Sequence, residues 1–418
     1  MQRVVITGMG AIAPNGNGYQ NFVNNSLAGK IGIKPITKFD ASETGITVAG
    51  EIDDFDPKDY VGKKEARRMD LYSQYAMQTT AEAMEMAGIT EENTRPEDLG
   101  VIYGSGIGGL TTIQDQVLRM HEKGPRRVSP FFIPMAISNM AAGNISIRFN
   151  AQNISTSIAT ACATGTNSIG EAYRQIKEGR AQVMIAGGSE ATVNETAIAG
   201  FAALTALSQS TDPKHASLPF DKDRNGFVLG EGAGAMILES LDHAKARNAK
   251  ILGEVVGYGT TSDAYHITSP DPEGKGAIRA MDMAMKEAQI SPSDVGYINA
   301  HGTATHANDS GEAKAINTLF KAINTLFGED KHVLVSSTKG MTGHLLGAAG
   351  AIEAVITMAS LKEGKLPMNV GVFNQDPDCN ITLVNQNNQK TNATYALSNS
   401  FGFGGHNAVL AFKKWSEE

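Results

Sequence analysis

Hydrophobic positions along this chain alternate between short β-branched runs and longer stretches with helical spacing, and two such arrangements occur twice. Residues 87–106 read Ala-Gly-Ile-Thr, a polar turn, then Asp98-Leu99-Gly100-Val101-Ile102-Tyr103-Gly104-Ser105-Gly106. Residues 288–303 read Ala-Gln-Ile-Ser, then Asp294-Val295-Gly296-Tyr297-Ile298-Asn299-Ala300-His301-Gly302-Thr303. A Met- and Ala-rich stretch precedes each turn; in the second, Ile278, Met281 and Met285 recur at i, i+3 and i+7, the spacing of one buried helical face. The other echo pairs 155–180 with 336–365. Each starts as a short strand, turns through Gly and small residues, and continues as a helix ending in Lys-Glu-Gly-Arg or Lys-Glu-Gly-Lys. Two correspondences in the same order predict an internal duplication of roughly half the chain. Strands alternating with helices predict parallel sheets covered by helices. We expect two similar α/β halves, 1–250 and 251–418.

A third repeat differs in kind. Residues 314–320 read KAINTLF, and 321–327 are the same seven residues again. Seven residues nearly complete two helical turns, so the second copy lags by only about 20°. Ala315, Ile316, Leu319 and Phe320 would then share a face with Ala322, Ile323, Leu326 and Phe327. The insertion fits a continuous helix lengthened by about 10 Å; the alternative is that one copy loops out.

Composition narrows the setting. The chain has 418 residues, 41% of them hydrophobic, which suffices for a large composite core. Its formal net charge of −8 argues against a broad nucleic-acid-binding face. Two cysteines, Cys162 and Cys379, predict no disulfide framework and fit a reducing cytoplasm. The first residues read as a strand, not a signal peptide, and apolar runs are interrupted before membrane-spanning length, so a soluble cytoplasmic protein is expected.

Candidate chemistry lies at the exits of the repeated strands. Cys162, in Ser-Ile-Ala-Thr-Ala-Cys-Ala-Thr-Gly, precedes a helix whose Ile169, Ala172, Tyr173 and Ile176 share one face. A thiol there faces the positive end of a helix dipole, which favours thiolate. His301, in His-Gly-Thr-Ala-Thr, and His344, in Ser-Thr-Lys-Gly-Met-Thr-Gly-His, occupy Gly-rich exits of the other repeat, where α/β sheets bind ligands. His301, His306, Asp309 and Glu312 lack a recognised metal-ligand spacing, so no metal is expected. The glycine-dense 398–407, before a final strand at 408–412, is a chain reversal whose N–H groups can also receive an oxyanion. Gly8-Met9-Gly10-Ala11-Ile12-Ala13 mimics a dinucleotide fingerprint, but Pro14-Asn15-Gly16 follows where a helix should start; we read it as a structural turn.

In order along the whole chain, the Cys162 segment, HGTAT at 301–305, STKGMTGHLLGAAG at 337–350 and SFGFGGHN at 400–407 resemble the elongating β-ketoacyl-acyl carrier protein synthases. The resemblance implies a thiolase-like fold, two related halves forming a five-layered α-β-α-β-α core, and a homodimer. It implies that Cys162 takes an acyl chain from an acyl carrier protein, with the N–H groups of Cys162 and Phe401 receiving the oxyanion. His301 and His344 would bind the malonyl thioester carbonyl as carbon dioxide leaves. Lys339 would support the site electrostatically through Glu312 or Asp309. Thr303, Thr305, Thr268 and Ser269 match pantetheine-contacting positions, Ile107 and Phe201 acyl-pocket positions, Gly402 a substrate-binding position, and Phe401 a gate. No cofactor is implied, because pantetheine arrives on its carrier. Lys64, Arg67 and Arg68 form a basic cluster suited to docking that acidic carrier. Rival readings are a partner subunit lacking the nucleophile, disfavoured by Cys162; a polyketide synthase module, which the fatty-acid reading displaces without excluding; and an oxidoreductase resting on 8–13. The KAINTLF copy departs from the family pattern between His301 and Lys339, and we expect acylation of Cys162 to survive it while condensation is altered.

Overall fold

The computed structural model describes residues 1–327 and 333–417, without the side chains of 321–327. In the first half, Val4–Ala13 (β1) leads to the helix Leu71–Ala87 (α1), then Leu99–Gly104 (β2) and Ser155–Thr156 (β3). The helix Thr164–Lys177 (α2), Val183–Glu190 (β4) and Gly232–Ser240 (β5) follow. The second half runs through Gly253–Ser262 (β6), Lys275–Ala288 (α3), Val295–Asn299 (β7), His306–Phe327 (α4) and Leu334–Ser336 (β8). Ala349–Glu363 (α5), Thr382–Leu383 (β9), Tyr395–Gly402 (β10) and His406–Lys414 (β11) complete it.

The strands pair in the order β9-β8-β7-β10-β11-β6-β1-β5-β4-β2-β3. Outward from the centre, β1-β5-β4-β2-β3 and β6-β11-β10-β7-β8 are the same plan. In each set the strand after the first long helix runs parallel to both neighbours and the other pairs are antiparallel; β9 adds one more parallel pair, with β8. The two sheets join edge to edge where Val4, Val5 and Ile6 face Val255, Glu254 and Gly253. α1 and the helix Met140–Arg148 cover one outer face, and α3 packs on the other with α4 beside it. Between the sheets lie α2 and α5, each touching strands of both halves. This is the thiolase-like order of five layers. α5 is buried at every position from Ala349 to Leu361, as a helix enclosed on all sides must be.

Glycines set the spacing of these layers. Residues 8–13, read above as a turn, are instead uninterrupted strand buried throughout. A methyl group at Gly8 would lie 2.0 Å from the Ala83 carbonyl oxygen, and one at Gly10 1.9 Å from that of Thr79. The pattern returns in β6: a methyl at Gly257 would meet the Ala284 oxygen at 2.1 Å, and one at Gly259 that of Ala280 at 1.9 Å. The glycine pairs therefore let α1 and α3 lie directly on backbone, and the resemblance to a nucleotide loop is accidental. In the central layer, a methyl at Gly165 of α2 would sit 2.5 Å from the Ala351 nitrogen. One at Gly350 of α5 would sit 2.8 Å from the Thr166 nitrogen. The two central helices cross in backbone contact at their first turns.

α4 is continuous through both KAINTLF copies. In the first copy Ala315, Ile316 and Phe320 are buried in the outer core and Leu319 packs against it. The side chains of Ala322, Ile323, Leu326 and Phe327 lie outside the described residues. Among the described residues, no helix is long and apolar enough to cross a membrane.

Gly10→Ala and Gly259→Ala should each destabilise the protein by about 1–3 kcal/mol, the usual cost of overpacking a filled interior. Urea unfolding should show a lower midpoint with an unchanged slope; an unaltered midpoint would refute the close-approach account.

Candidate active site

The cleft forms where the exits of corresponding strands converge. Cys162 sits in the single turn Ala161–Ala163 that leads from β3 into α2, and His344 in the turns that lead from β8 into α5. Both helix entrances are preceded by a residue forced into left-handed backbone, Ala161 at φ 49° and Leu346 at φ 47°; Ala304, beside the threonines, adopts φ 68°. Such conformations cost on the order of 1–3 kcal/mol each and persist where surrounding structure imposes them. Here they aim the Cys162 and His344 turns into one space.

Cys162, His301 and His344 all line a cleft of about 570 Å³. Its wall includes a run of edge-to-face rings. Phe201 meets Phe227 at 5.5 Å, Phe227 meets His344 at 5.2 Å, His344 meets His301 at 5.3 Å, and His301 meets Phe401 at 5.8 Å. Thr303, Thr305, Thr268, Ser269, Ile107 and Gly402 also face this cleft, and the Thr303 and Thr305 hydroxyls are hydrogen-bonded at 2.9 Å. A methyl at Gly402 would come within 2.6 Å of the Thr160 carbonyl oxygen and 3.1 Å of the Cys162 nitrogen, so β10 passes against the Cys162 turn only as glycine.

Hydrogen bonds fix the two imidazoles differently. The Leu346 N–H donates to His344 Nδ1 at 3.3 Å, which leaves the ring proton on Nε2 and makes that nitrogen a donor. His301 is held through its backbone: its N–H and that of Gly302 each donate to Glu312, both at 2.8 Å, and Asn399 donates to the same carboxylate. Among the described residues, the Nδ1 of His301 is buried without a hydrogen-bonding partner. Burial, with the positive charge of Lys339, keeps both rings well below the ordinary histidine range, and His344 adds to the effect on His301. Both are neutral at physiological pH.

Three expectations require correction. Lys339 is paired with neither Glu312 nor Asp309; its ammonium, fully buried, contacts Glu353 of α5. Glu312 grips the His301 loop instead, and Asp309 accepts the N–H groups of Phe220 and Ala304. The N–H that reaches the Cys162 sulfur belongs to Phe403, in the glycine turn, two residues beyond Phe401. Phe401 lies within β10, opposite Asn407 of β11, with its ring against His301. Finally, burial works against the thiolate expected of Cys162 at this helix entrance. Burial pushes its thiol up to about 12, against the opposing pull of Lys339 and the Phe403 N–H.

Glu353 and Glu190 escaped the sequence reading. Each is a single carboxyl in or at the end of an apolar run, a pattern that marks a buried charge with a dedicated partner. Lys64, Arg67 and Arg68 are exposed and stand apart from the cleft lining; the Arg68 guanidinium lies 4.8 Å over the Phe131 ring. His306 opens α4 and its carbonyl accepts from Arg224. Among the described residues, no group of three or more His, Cys, Asp or Glu could hold a metal ion.

Family models described as the N-terminal and C-terminal domains of beta-ketoacyl synthase match residues 1–244 and 252–373. A Staphylococcus aureus (strain N315) protein named 3-oxoacyl-[acyl-carrier-protein] synthase 2 is 50% identical over 414 residues, covering 99% of each chain. A Synechocystis protein of the same name is 48% identical over 415 residues, covering 99% of this chain and 98% of its own. Among solved structures, a beta-ketoacyl synthase from Burkholderia phymatum STM815 superposes with a TM-score of 0.91 at 32% identity, over 100% of both chains. A type II polyketide ketosynthase solved with its acyl-carrier protein gives 0.90 at 32% identity, over 99% of this chain and 100% of that one.

With the free thiol protonated, alkylation of Cys162 by iodoacetamide should accelerate about tenfold per pH unit between about pH 7 and 9, without levelling off. A plateau below about pH 8 would mean that the resting site already holds a thiolate.

Proposed function

The chain belongs to the β-ketoacyl synthase family, and from that premise we propose that Cys162, His301 and His344 divide one decarboxylative condensation between them. The protein is an acyltransferase, and its reaction is the elongating condensation of fatty-acid synthesis. The reading of the residues rests on one observation, the shared cleft in which a buried thiol faces two neutral imidazoles.

In the first half-reaction the Cys162 sulfur attacks an acyl thioester. The bond to pantetheine sulfur breaks, and the proton lost by Cys162 ends on the departing thiol. The N–H groups of Cys162 and Phe403 receive the oxyanion, a task for donors already fixed in a water-poor site. In the second, malonyl thioester enters along Thr303, Thr305, Thr268 and Ser269. The C–C bond to its carboxylate breaks, carbon dioxide leaves, and the electron pair remains as an enolate. His344 Nε2–H and His301 donate to the enolate oxygen; a protonated histidine is not needed, and burial, aided by Lys339, keeps both rings neutral. The carbanion attacks the acyl carbon and the bond to Cys162 breaks, releasing a ketoacyl thioester two carbons longer, and the freed Cys162 thiolate takes a proton from water to regain its resting thiol. Ile107 and Phe201 line the acyl end. No bound cofactor is required, because the thioester is carried on the substrate.

The donors are acyl- and malonyl-loaded acyl carrier protein, docked on Lys64, Arg67 and Arg68. Exposed Ile147 and Ile154, beside the edge strand β3, suit a homodimer face. The two free cysteines suit the cytoplasm. The second KAINTLF copy lies between the Glu312 anchor of His301 and the segment leading to Lys339 and His344, so it bears on condensation more than on acylation.

Mass spectrometry after incubation with acyl-carrier protein should find an acyl adduct on the parent and on a variant lacking 321–327, and none on Cys162→Ala. The deletion should change the subsequent condensation rate, by up to about 100-fold for a displacement of about 1 Å. An adduct on Cys162→Ala would overturn the assignment of the nucleophile, and unchanged condensation in the deletion would overturn the role given to the repeat.

Reversing Lys64, Arg67 and Arg68 to Glu should slow turnover of carrier-bound substrates by at least about tenfold at low salt while sparing small thioesters. Equal loss on both kinds of substrate would refute docking at this cluster.

A further inference from the structure

Glu190 ends β4 with its side chain fully buried at the wall of the cleft. Four donors converge on its two oxygens. Oε1 accepts from the Ser105 hydroxyl at 2.8 Å and the Ile107 N–H at 3.2 Å. Oε2 accepts from the Gly106 N–H at 2.9 Å and the Gly347 N–H at 3.0 Å. Ser105 in turn receives the Gly108 N–H at 3.0 Å. The donors come from both halves of the molecule: 105–107 follow β2, and Gly347 lies in the turn between His344 and α5. The two segments touch, since a methyl at Gly347 would be 2.4 Å from the Gly106 nitrogen and 2.7 Å from Glu190 Oε2. Burial pushes the carboxyl up to about 7, and the four hydrogen bonds pull the other way.

Ion-pair chemistry does not explain this residue. Among the described residues its partners are a hydroxyl and backbone N–H groups, and its negative charge near Cys162 works against a thiolate. What it does is geometric. One oxygen holds the backbone of Ile107, on the acyl side of the cleft. The other holds Gly347, next to Leu346, whose N–H sets the His344 tautomer. We propose that Glu190 is a positioning residue that sets acyl-chain selectivity by fixing Ile107 and, through the Gly347 turn, ties that wall to the orientation of His344. The inference rests on the condensation reading above.

The bond pattern makes the test specific. In Glu190→Gln one oxygen becomes an NH2. The Ser105 hydroxyl can turn round to accept from it, but an N–H cannot, so the amide nitrogen settles toward Ser105 and Ile107. Ile107 then loses its acceptor, while Gly106 and Gly347 keep theirs. Cys162 acylation would be measured by mass spectrometry with short and long acyl thioesters, alongside malonyl decarboxylation and the urea unfolding midpoint. Glu190→Gln should change the long-to-short acylation ratio at least about tenfold more than it changes decarboxylation, whereas Glu190→Ala should impair both. Ser105→Ala, which deletes one donor and keeps the carboxylate, should move the ratio in the same direction by about two- to fivefold, and it decides the matter if the Glu190 variants do not fold. Uniform loss across chain lengths and both steps, or an unmoved ratio in Ser105→Ala, would reduce Glu190 to a structural buttress and overturn the proposal. Absence of any adduct on the parent would instead refute the condensation reading itself.

Discussion

The arrangement depends on backbone contact between α2 and α5 at the centre of the molecule. Gly165 and Gly350 occupy the same place in the two repeats, three residues after Cys162 and three after Gly347. With no side chain on either, the first turns of both helices approach as closely as their backbones allow. That contact brings the two helix entrances to one point, and whatever stands just before each helix faces the same space. One repeat contributes a thiol there and the other an imidazole. A duplicated unit thus becomes a single site because its copies meet face to face through their most intimate layer. The bond from Thr166 to Ser400, at 2.7 Å, extends the same join to β10 and the glycine turn after it.

Burial then sets the chemistry. Removing Lys339 and Glu353 from water costs several kcal/mol per ion, so their pairing is a weak contribution to stability and a strong constraint on position. The ammonium acts on Cys162, His301 and His344 at once, adding to the burial that keeps both imidazoles neutral and drawing the thiol toward ionisation. Desolvation of the sulfur is the larger influence, so Cys162 rests as a thiol. Glu312 and Asp309 do different work: they bind N–H groups of the 301–304 loop, and Arg224 ties the start of α4 to Asp376. Carboxylates near the cleft are thus mostly fasteners for backbone.

Much of this was legible in the residues because duplication and strand-exit chemistry are written locally. The echoes at 87–106 and 288–303 correspond to α1-β2 and α3-β7, and those at 155–180 and 336–365 to β3-α2 and β8-α5. Cys162, His301 and His344 stood out because each follows a short strand with glycine close by. The errors arose where a choice turns on which groups are already occupied or on one or two residues. Glu312 and Asp309 lie near His301 in sequence, yet both are occupied by backbone donors, and among the described residues it is Glu353 of α5, 14 residues from Lys339, that meets its ammonium. Phe401 and Phe403 share one motif, and only the point where β10 ends and the turn begins separates the ring against His301 from the N–H on the sulfur. Gly8 and Gly10 match a phosphate-binding pattern, but a strand under a helix needs glycine as much as a phosphate loop does.

By itself the order of residues determined the repeated α/β plan, the family, and the identity of the thiol and two imidazoles, since these depend on periodicity, turn residues and motif order within short windows. Tertiary structure alone decided which carboxylate neutralises Lys339, which ring nitrogen of His344 carries the proton, that the sulfur is protonated at rest, and that Glu190 joins the two walls. The last joins segments 157 residues apart, and the others turn on burial and on which groups come within reach. Such relations exist only once the halves have closed on one another and excluded water.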